Sequence, residues 1–436
     1  MLLATSAAGG PTDTFFYGNI ATSGQDQTRD FAIGSDDAMY FACRGNGDAT
    51  IVKVDIDGAF QWARSLDDSD GKIYNFNGVS LDSSDNVYVS GSRIDTSTSP
   101  FSRKCFFFKY NSSGTVQFKK EFGTYQDMGH NFTLNSGRIL YPVNDGLRFI
   151  EFDSSGTSQA DKVIGSSSVG QSFQANEIFR QDSSNNIYVL GNDASSGNQR
   201  ILIVKMNSSY AIQWQRTFHL DTGNANEDAL GTAFDVDSSG NVYVCGFTRN
   251  TSPEQSVIFK LNSSGTLQWQ KGYGNQFYVL DSLTVDSNDD VYVSGRVSET
   301  APSGTSGNRI GLLKLDSSGT IDWQNIFAMQ DDCDPSEGIR FNSLGTLIVA
   351  VKNNGTNTAG SQDIGFLKVP ADGSATGSYT FGSDVIKYQS MSSSFSSLSG
   401  TLSTTTHSIS NSSETISTSS QGEVSLTMTA STVAFS

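Results

Sequence analysis

Residues 237–274 read DSSGNVYVCGFTRNTSPEQSVIFKLNSSGTLQWQKGYG, and the chain repeats this pattern seven times with varying fidelity. The stretch opens with a tight turn, DSSGN, and continues as VYVCG, whose period-two alternation is typical of a half-buried strand. After a variable loop, VIFKL and LQWQKGYG predict two more strands, joined by a second tight turn, NSSGT. Residues 232–236, TAFDV, supply a fourth strand. Each repeat therefore predicts four short antiparallel strands.

The repeats keep one register along the chain. All four tryptophans fall at the same repeat position: Trp62, Trp214, Trp269 and Trp323. The first strong strand of each repeat carries an anchor, and the anchors are about 50 residues apart: Tyr40, Tyr88, Leu140, Tyr188, Tyr243, Tyr292 and Ile348. One such sheet cannot bury both faces alone, so neighbours must stack on it. The sequence therefore predicts an all-β fold, a seven-bladed β-propeller with four-stranded antiparallel blades.

Two repeats depart from the pattern. The third keeps both turns but loses its long loop and has Glu151 where the others have lysine. We expect it to form a blade, because the ring needs that wedge filled. The last strand of the seventh repeat, residues 375–382, lacks the tryptophan-position aromatic, whereas residues 12–18, TDTFFYG, match the end of a repeat. We therefore predict that a strand near residues 13–18 closes the last blade.

The composition divides the chain into three parts. Residues 1–12 are small and polar and predict a flexible lead, and residues 13–382 form the propeller. After Gly382 serine and threonine dominate, and no lysine or arginine follows Lys387. Alternation in EVSLTMTASTVAF predicts a β-strand tail over residues 383–436, serving assembly or attachment. The tail is either a small β-domain or a set of strands that completes a sheet on a partner; a flexible Ser/Thr-rich tail is the alternative.

Charge and composition exclude several classes of protein. The net charge of −17 and pI near 4.5 argue against nucleic-acid binding, which needs clustered lysine and arginine. No apolar run approaches the length of a membrane span, and MLLATSAAGG has no basic region typical of a signal peptide. The four cysteines form no CxxC pair and are expected to be buried free thiols.

The recurring D-S-S-G-N-V-Y-V-x-G and K-L-x-S-S-G-T-x-x-W patterns over residues 30–382 resemble the seven-bladed propeller repeats called SBBP repeats. Sequence motifs such as DSSGTIDWQ also resemble those of virion structural proteins of marine bacteriophages, such as tail fibres, appendages or decoration proteins. The resemblance implies a virion location, with other virion proteins and a host surface polysaccharide or protein as partners. An extracellular or bacterial cell-surface adhesin is the alternative, and a homo-oligomer is compatible with either. The resemblance supplies no catalytic motif, so we expect no enzymatic activity.

Residues that recur in every blade are interpreted as structural. The repeated lysines lay their stems over the sheet, and the turn aspartates accept backbone N–H groups as in Asx turns. One calcium ion per turn is the alternative, but a single carboxylate is a poor ligand set, so no cofactor is predicted. The three histidines are far apart in sequence and predict no zinc site. The acidic run DDCDPSE is the best metal candidate, through Asp331, Asp332, Asp334 and Glu337.

Strand order locates the predicted binding face. If strands A to D run outward from the axis, the uniform A–B and C–D turns share one face, and the variable B–C and D–A connections share the other. A rigid scaffold with variable loops on one face is a common binding surface. The candidate binding residues there are Arg93, Arg103 and Lys104 for charge, and Tyr125, Phe277 and Tyr278 for stacking on sugar or peptide. A polysaccharide-degrading enzyme on the same face is the alternative; Asp228 and the acidic run supply carboxylates, but no spacing selects an acid–base pair.

Overall fold

The structure is a computed structural model. It describes residues 16–21, 27–44, 49–66, 71–123, 130–144, 147–165, 169–170, 178–195, 197–220, 228–249, 255–273, 277–300, 306–329, 333–353, 363–381, 384–391, 395–396, 400–405, 408–411, 416–418, 423–426 and 429–434. The predicted lead, residues 1–12, lies outside these ranges. No helix in the described part of the chain is long and apolar enough to cross a membrane.

The strands follow one another along the chain mostly in groups of four, one group for each blade. The first are β1 (Phe16–Ala21), β2 (Gln27–Ile33), β3 (Met39–Arg44), β4 (Ala49–Val54), β5 (Phe60–Leu66), β6 (Ile73–Leu81), β7 (Val87–Asp95), β8 (Ser102–Tyr110), β9 (Val116–Phe122), β10 (Phe132–Thr133), β11 (Ile139–Asn144), β12 (Leu147–Phe152) and β13 (Ser158–Ile164). The middle repeats give β14 (Val169–Gly170), β15 (Phe179–Gln181), β16 (Ile187–Asp193), β17 (Arg200–Met206), β18 (Ile212–Leu220), β19 (Asp228–Val236), β20 (Val242–Arg249), β21 (Ser256–Leu261) and β22 (Leu267–Tyr273).

The last repeats and the tail complete the list. They give β23 (Phe277–Val285), β24 (Val291–Thr300), β25 (Ser306–Leu315), β26 (Ile321–Ala328), β27 (Cys333–Phe341), β28 (Leu347–Asn353), β29 (Asp363–Val369), β30 (Gly377–Phe381), β31 (Asp384–Ser390), β32 (Phe395–Ser396), β33 (Gly400–Thr404), β34 (Ile409–Asn411), β35 (Ile416–Thr418), β36 (Glu423–Leu426) and β37 (Thr429–Ala434).

These strands form seven antiparallel sheets of five or six strands, arranged as the blades of a propeller. The predicted all-β, seven-bladed fold is confirmed, and the third repeat forms its own blade from β10 to β13. The core lies between blades: Phe107 of the second blade stacks on Phe152 of the third, with 4.7 Å between ring centroids. All four cysteines are buried free thiols, and burial raises the pKa of Cys245 to about 12.

The recurring turn residues join strands within a blade and blades to each other. In the fifth blade, Asp237 Oδ1 accepts the backbone N–H groups of Ser239 and Asn241 at 3.0 and 2.8 Å, as predicted for an Asx turn. The other oxygen accepts the hydroxyl of Tyr243 at 3.2 Å. Burial and this carboxylate together raise the pKa of Tyr243 far above its usual value. The ammonium of Lys260 lies 4.6 Å from the centroid of the tyrosine ring.

In the four blades that have it, the repeat tryptophan donates a hydrogen bond to a carbonyl oxygen of the next blade. Trp214 Nε1 of the fourth blade donates to the carbonyl oxygen of Ser263 in the fifth at 3.0 Å, and Lys205 Nζ donates to the same oxygen at 3.3 Å. The indole ring packs on Gly265, whose backbone has φ of +77°. A side chain at this position would be excluded twice, by the left-handed backbone and by the ring.

Backbone strain and overpacking can be separated by comparing the loss of stability on Gly→Ala substitution at two glycines. Gly265→Ala would place a Cβ 2.9 Å from Trp214 Cδ2, whereas at Gly137, with φ of +76°, no atom lies within 4 Å. Both substitutions strain the backbone, but only Gly265→Ala overpacks the blade interface. We expect Gly265→Ala to cost about 1–3 kcal/mol more than Gly137→Ala, measured by urea unfolding. Equal losses would contradict the role given to the indole contact.

The seventh blade is built from both ends of the chain. Its strands run β27-β28-β29-β1-β37, so β1 takes the fourth position, with Phe16 opposite Lys368. The predicted last strand of the seventh repeat lies elsewhere: β30 pairs with β31 at the outer edge of the sixth blade. Contacts across the closed ring join this blade to the first, as Lys368 Nζ donates to the carbonyl of Ile56 at 2.9 Å.

The tail differs from both forms of the prediction. It is neither a separate domain nor a set of strands on a partner, because it runs around the rim and adds a fifth strand to every blade. The order is opposite to that of the blades in the chain: β31 joins β26, β32 joins β22, β33 joins β18, β34 joins β13, β35 joins β9, β36 joins β5 and β37 joins β1. We call β31 to β37 the belt. The boundary predicted at residue 382 falls inside the β30–β31 hairpin, and any role in assembly stays a prediction.

The first strand of the belt contributes to the core. Ile386 and Tyr388 are fully buried, and Asn325 Nδ2 donates to the tyrosine hydroxyl at 2.8 Å. Leu402 and Ile409, farther along, pack against the core of the third to fifth blades. The belt thus covers the edge strands of the blades, which would otherwise offer unpaired backbone groups.

Candidate binding site

Contacts between neighbouring blades define the two faces of the ring. The A–B turns touch each other around one face: Ser238 Oγ donates to Asp289 Oδ1 at 3.2 Å, and Ser343 Oγ to Asp37 Oδ2 at 2.6 Å. We call this the turn face. The opposite ends of the same strands carry the B–C and D–A connections and form the loop face. In the sixth blade much of the B–C connection is regular hairpin, since β24 and β25 stay paired up to Thr300 and Ser306.

The second blade brings the three predicted basic residues to one hairpin on the loop face. Arg93 of β7 lies directly opposite Lys104 of β8, and Arg103 lies opposite Ile94. Opposed residues share a face of the sheet and successive residues alternate. Arg93 and Lys104 therefore lie on one face of the blade and Arg103 on the other. Arg93 Nη2 is 3.2 Å from Glu121 Oε1, so part of its charge is already paired.

An exposed aromatic residue at the tip of this hairpin was missed by the sequence prediction. Phe101, next to Ser102, exposes 59% of its surface, the largest exposure among the large hydrophobic side chains described. The tip is shaped by Asp95, whose Oδ1 accepts the N–H and the hydroxyl of Ser97 at 3.0 and 2.5 Å. These hydrogen bonds lower the pKa of the Asp95 carboxyl. The signal in the sequence was an isolated phenylalanine after proline inside a polar loop.

The other predicted residues do not join this hairpin in the described structure. Tyr125, Asp331 and Asp332 lie outside the described residues. The others lie on two inner strands, and only their backbone is described: Phe277 and Tyr278 on β23, and Asp334 and Glu337 on β27. Within the described ranges, no three His, Cys, Asp or Glu side chains come together as a metal site.

A second candidate site lies on the axis of the ring. Inner-strand residues of all seven blades line a cavity of about 380 Å³. Its lining residues precede the first turns by only a few positions, which places the cavity in the half of the channel near the turn face. The ionisable side chains in the lining come from five blades: Asp30, His130, Arg180, Asp235 and Arg340. Sequence reasoning did not select this group.

These ionisable groups form two sets of contacts. In the first, Asp30 Oδ2 lies 3.0 Å from His130 Nδ1, and Asp30 Oδ1 lies 3.6 Å from Arg340 Nη2. In the second, Arg180 Nε donates to Asp235 Oδ1 at 2.9 Å. Burial lowers the pKa of both arginines despite the nearby aspartates, and the charge of Arg340 lowers the pKa of Arg180 further.

The two aspartates also hold neighbouring inner strands together. Asp30 Oδ2 accepts the N–H of Val79 in the second blade at 2.9 Å. Asp235 Oδ2 accepts the N–H of Val285 in the sixth blade at 2.9 Å and the hydroxyl of Thr284 at 3.3 Å. Carboxylates in these positions give the axis a structural function in addition to any binding function.

Comparisons with known proteins bear on the fold and on no other property of the chain. No protein family and no curated protein matches the chain. Among solved structures, virginiamycin B lyase from Staphylococcus aureus is 13% identical, with a TM-score of 0.50 over 81% of this chain and 99% of the lyase. A protein of unknown function from Dyadobacter fermentans is 9% identical, with a TM-score of 0.43 over 81% and 98% of the two chains. The polysaccharide lyase Uly1 is 8% identical, with a TM-score of 0.34 over 79% and 90%. The likeness to virginiamycin B lyase concerns the fold alone.

Proposed function

We propose that this chain is a non-enzymatic binding module of a bacteriophage virion, in a tail fibre, appendage or decoration. Its loop face binds a host surface polysaccharide or another virion protein. The resemblance of the repeats to SBBP repeats and to marine phage virion proteins supports the location. A bacterial cell-surface adhesin would share the binding mode and differ in where the protein resides.

One observation carries the binding proposal: the hairpin of the second blade combines Arg93, Lys104 and exposed Phe101 in a chain with net charge −17. A local positive group on an acidic protein favours an anionic partner, and repulsion elsewhere orients it. An exposed aromatic ring offers a flat apolar surface for a sugar or peptide group. Acidic surface polysaccharides carry anionic groups for the basic residues and sugar rings that can stack on the aromatic side chain. They are therefore the ligand class that this hairpin fits best.

The proposal predicts the behaviour of a double variant. We expect Phe101→Ser with Lys104→Glu to weaken binding to an acidic polysaccharide by about 10-fold or more, because it removes the aromatic contact and reverses one charge. Binding of the full chain to immobilised alginate and to whole host cells would be measured by surface plasmon resonance and by sedimentation. Arg249→Gln is the matched control, since Arg249 is an exposed arginine at the end of β20 in another blade.

Analysis of the polysaccharide from the same binding reactions separates the alternatives. Saturable binding with unchanged chain length supports a binding module. Shortened chains would overturn it in favour of a polysaccharide-degrading enzyme on this face. Equal binding by the double variant and the wild type would remove the hairpin from the site. Immunogold labelling of purified phage particles tests the virion location.

A further inference from the structure

A lysine joins neighbouring blades at the same repeat position in three of them. In the fifth blade, Lys260 Nζ donates to the carbonyl oxygen of Ser317 in the sixth at 3.1 Å and lies 3.9 Å from Asp237 Oδ2. The second and fourth blades make the same bond to the next blade, from Lys109 to Ser154 and from Lys205 to Ser263. The ammonium group of the repeat lysine thus occupies the space between the two blades.

The sixth blade keeps the lysine, but two aspartates hold it within its own blade. Lys314 Nζ lies 2.7 Å from Asp290 Oδ2 and 3.2 Å from Asp322 Oδ2. In the three blades above, these two positions hold asparagine and glutamine, as with Asn241 and Gln268 in the fifth. The two acidic replacements therefore give the ammonium group of Lys314 partners inside the sixth blade in place of a carbonyl oxygen of the seventh.

A cleft of about 560 Å³ lies between the sixth and seventh blades on the turn face. Asp286, Tyr292 and Lys314 line it from the sixth blade, and Ala371 and Asp372 line it from the seventh. The carbonyl oxygen of Ala371 accepts the repeat tryptophan, as the serine carbonyl does at the preceding interface, so it is the acceptor that a bridging lysine would use. A volume of this size is typical of small-molecule sites.

The first turns beside this cleft lack a side chain that joins such turns at the two adjacent interfaces. There, a serine of one turn donates to an aspartate of the next, Asp289 on one side and Asp37 on the other. Glycine takes the place of that aspartate in the seventh blade, at Gly345, and no described atom lies within 4 Å of the position of a Cβ there. The cleft is therefore open to molecules that approach the turn face.

The cleft carries more negative than positive charge. The described partners of the Asp286 carboxylate are neutral: two backbone N–H groups of its own turn, at 2.8 and 2.9 Å, and the hydroxyl of Tyr292 at 3.3 Å. Asp372 accepts the backbone N–H of Ser374 at 2.9 Å, and hydrogen bonding by Ser374 lowers the pKa of this carboxyl. Lys314 is the one cation among the described residues of the lining and is already shared by two further aspartates. A positively charged ligand would balance the remaining carboxylates.

We propose that the cleft between the sixth and seventh blades binds a primary alkylammonium group, either of a polyamine or of a lysine side chain on a partner protein. The ammonium takes the place that the repeat lysine takes at other interfaces, beside Asp286 and the carbonyl oxygen of Ala371, to which it donates charge-assisted hydrogen bonds. The ring of Tyr292 lies beside the bound charge, as the ring of Tyr243 lies 4.6 Å from Lys260 Nζ. This site is on the turn face and is independent of the loop-face function proposed above.

Isothermal titration of the full chain at constant ionic strength tests the assignment. The ligands are spermidine and a blocked glycyl-lysyl-glycine peptide, and tetramethylammonium, which has the charge but no N–H group, is the control. We expect saturable 1:1 binding of at least one of the two ligands, with a dissociation constant below about 1 mM, and binding of tetramethylammonium weaker by about 10-fold or more. Spermidine binding alone assigns the site to polyamines, and peptide binding assigns it to a lysine of a partner. Absence of saturable binding by both ligands, or equal affinity for tetramethylammonium, would overturn the proposal.

Removal of a single charge at the cleft locates the ligand. Asp286→Asn is expected to weaken binding by about 10-fold or more. The turn should persist, because Asn342 caps the corresponding turn of the seventh blade by accepting the N–H of Thr346 at 2.8 Å. Asp316→Asn is the matched control, since Asp316 accepts the N–H of Thr320 at 2.8 Å in another turn of the same blade and is outside the lining of the cleft. Equal effects of the two substitutions would contradict the site.

A double variant tests whether the lysine of the sixth blade can itself fill the site. Asp290→Asn with Asp322→Gln restores the residues of the other blades, so Lys314 can reach the carbonyl oxygen of Ala371 and should abolish ligand binding. Adding Lys314→Met removes this competing ammonium and should restore measurable binding. Retained binding in the double variant, or no recovery in a triple variant that circular dichroism shows to be folded, would contradict the assignment.

Discussion

A chain that ends at residue 383 is expected to unfold at a temperature lower by on the order of 10 °C than the full chain, and to aggregate. The truncation removes the whole belt. Its first strand alone buries Ile386 and Tyr388, each of which contributes about 1.5–3 kcal/mol by leaving water. The outer strands of all seven blades would also lose their edge partners and expose unpaired backbone groups to other molecules.

Differential scanning calorimetry with light scattering measures both effects. A point substitution separates packing from strand pairing: Tyr388→Ala should lower the unfolding temperature, whereas Gln389→Ala, an exposed neighbour on the same strand, should have almost no effect. An unfolding temperature within about 2 °C of the full chain after truncation, a shift equivalent to roughly 2 kcal/mol or less for a chain of this length, would show that the belt is dispensable for the fold. In that case the function of the tail would lie only in contacts with other molecules.

Asp235→Ala is expected to lower the free energy of unfolding by about 3–5 kcal/mol, the largest effect predicted for a single residue here. The substitution leaves Arg180 without its carboxylate partner. It also removes the acceptor of two backbone N–H groups: that of Val236 on the same strand, and that of Val285, which joins the fifth blade to the sixth. A partly buried charge and unsatisfied donors carry a larger cost than the lost attraction alone.

Urea unfolding followed by tryptophan fluorescence measures this loss. Asp322→Ala is the matched control, because Asp322 is also an aspartate paired with a cation, 3.2 Å from Lys314 Nζ, but is 41% exposed. That surface pair should contribute less than about 1 kcal/mol. Similar losses in the two variants would contradict the special role of the axial carboxylate.

Residues 237–274 were sufficient to predict the blade, because its turns, its tryptophan and its alternating strands are all local signals. The belt was not predictable in the same way. Its strands are short, from the two residues of β32 to the seven of β31, and each pairs with a strand far away in sequence. Serine and threonine alternation indicates a strand, but it carries no information about which sheet that strand joins.

The two candidate sites also differ in how well the sequence predicts them. The basic residues of the second blade were found because they stand in a loop that varies between repeats. The axial group was missed because its members are single departures from the repeat, spread over five blades. A comparison of the repeats at the position two residues before the first turn would have revealed three of its five members, since Arg180, Asp235 and Arg340 replace the uncharged residues found there in other blades.

The assembly of the seventh blade from β1, β29 and β37 also has a consequence for the rate of folding. Its fourth strand is Phe16–Ala21, and the partners of that strand, such as Lys368 and Ala434, come more than 340 residues later in the sequence. Contacts of such sequence separation carry a high loop-closure cost and slow the search for the native topology. Six blades can form from local hairpins while the seventh waits for β29 and β37. We therefore expect ring closure to be a slow step of folding, and a ring that is still open to expose strand edges prone to misassembly.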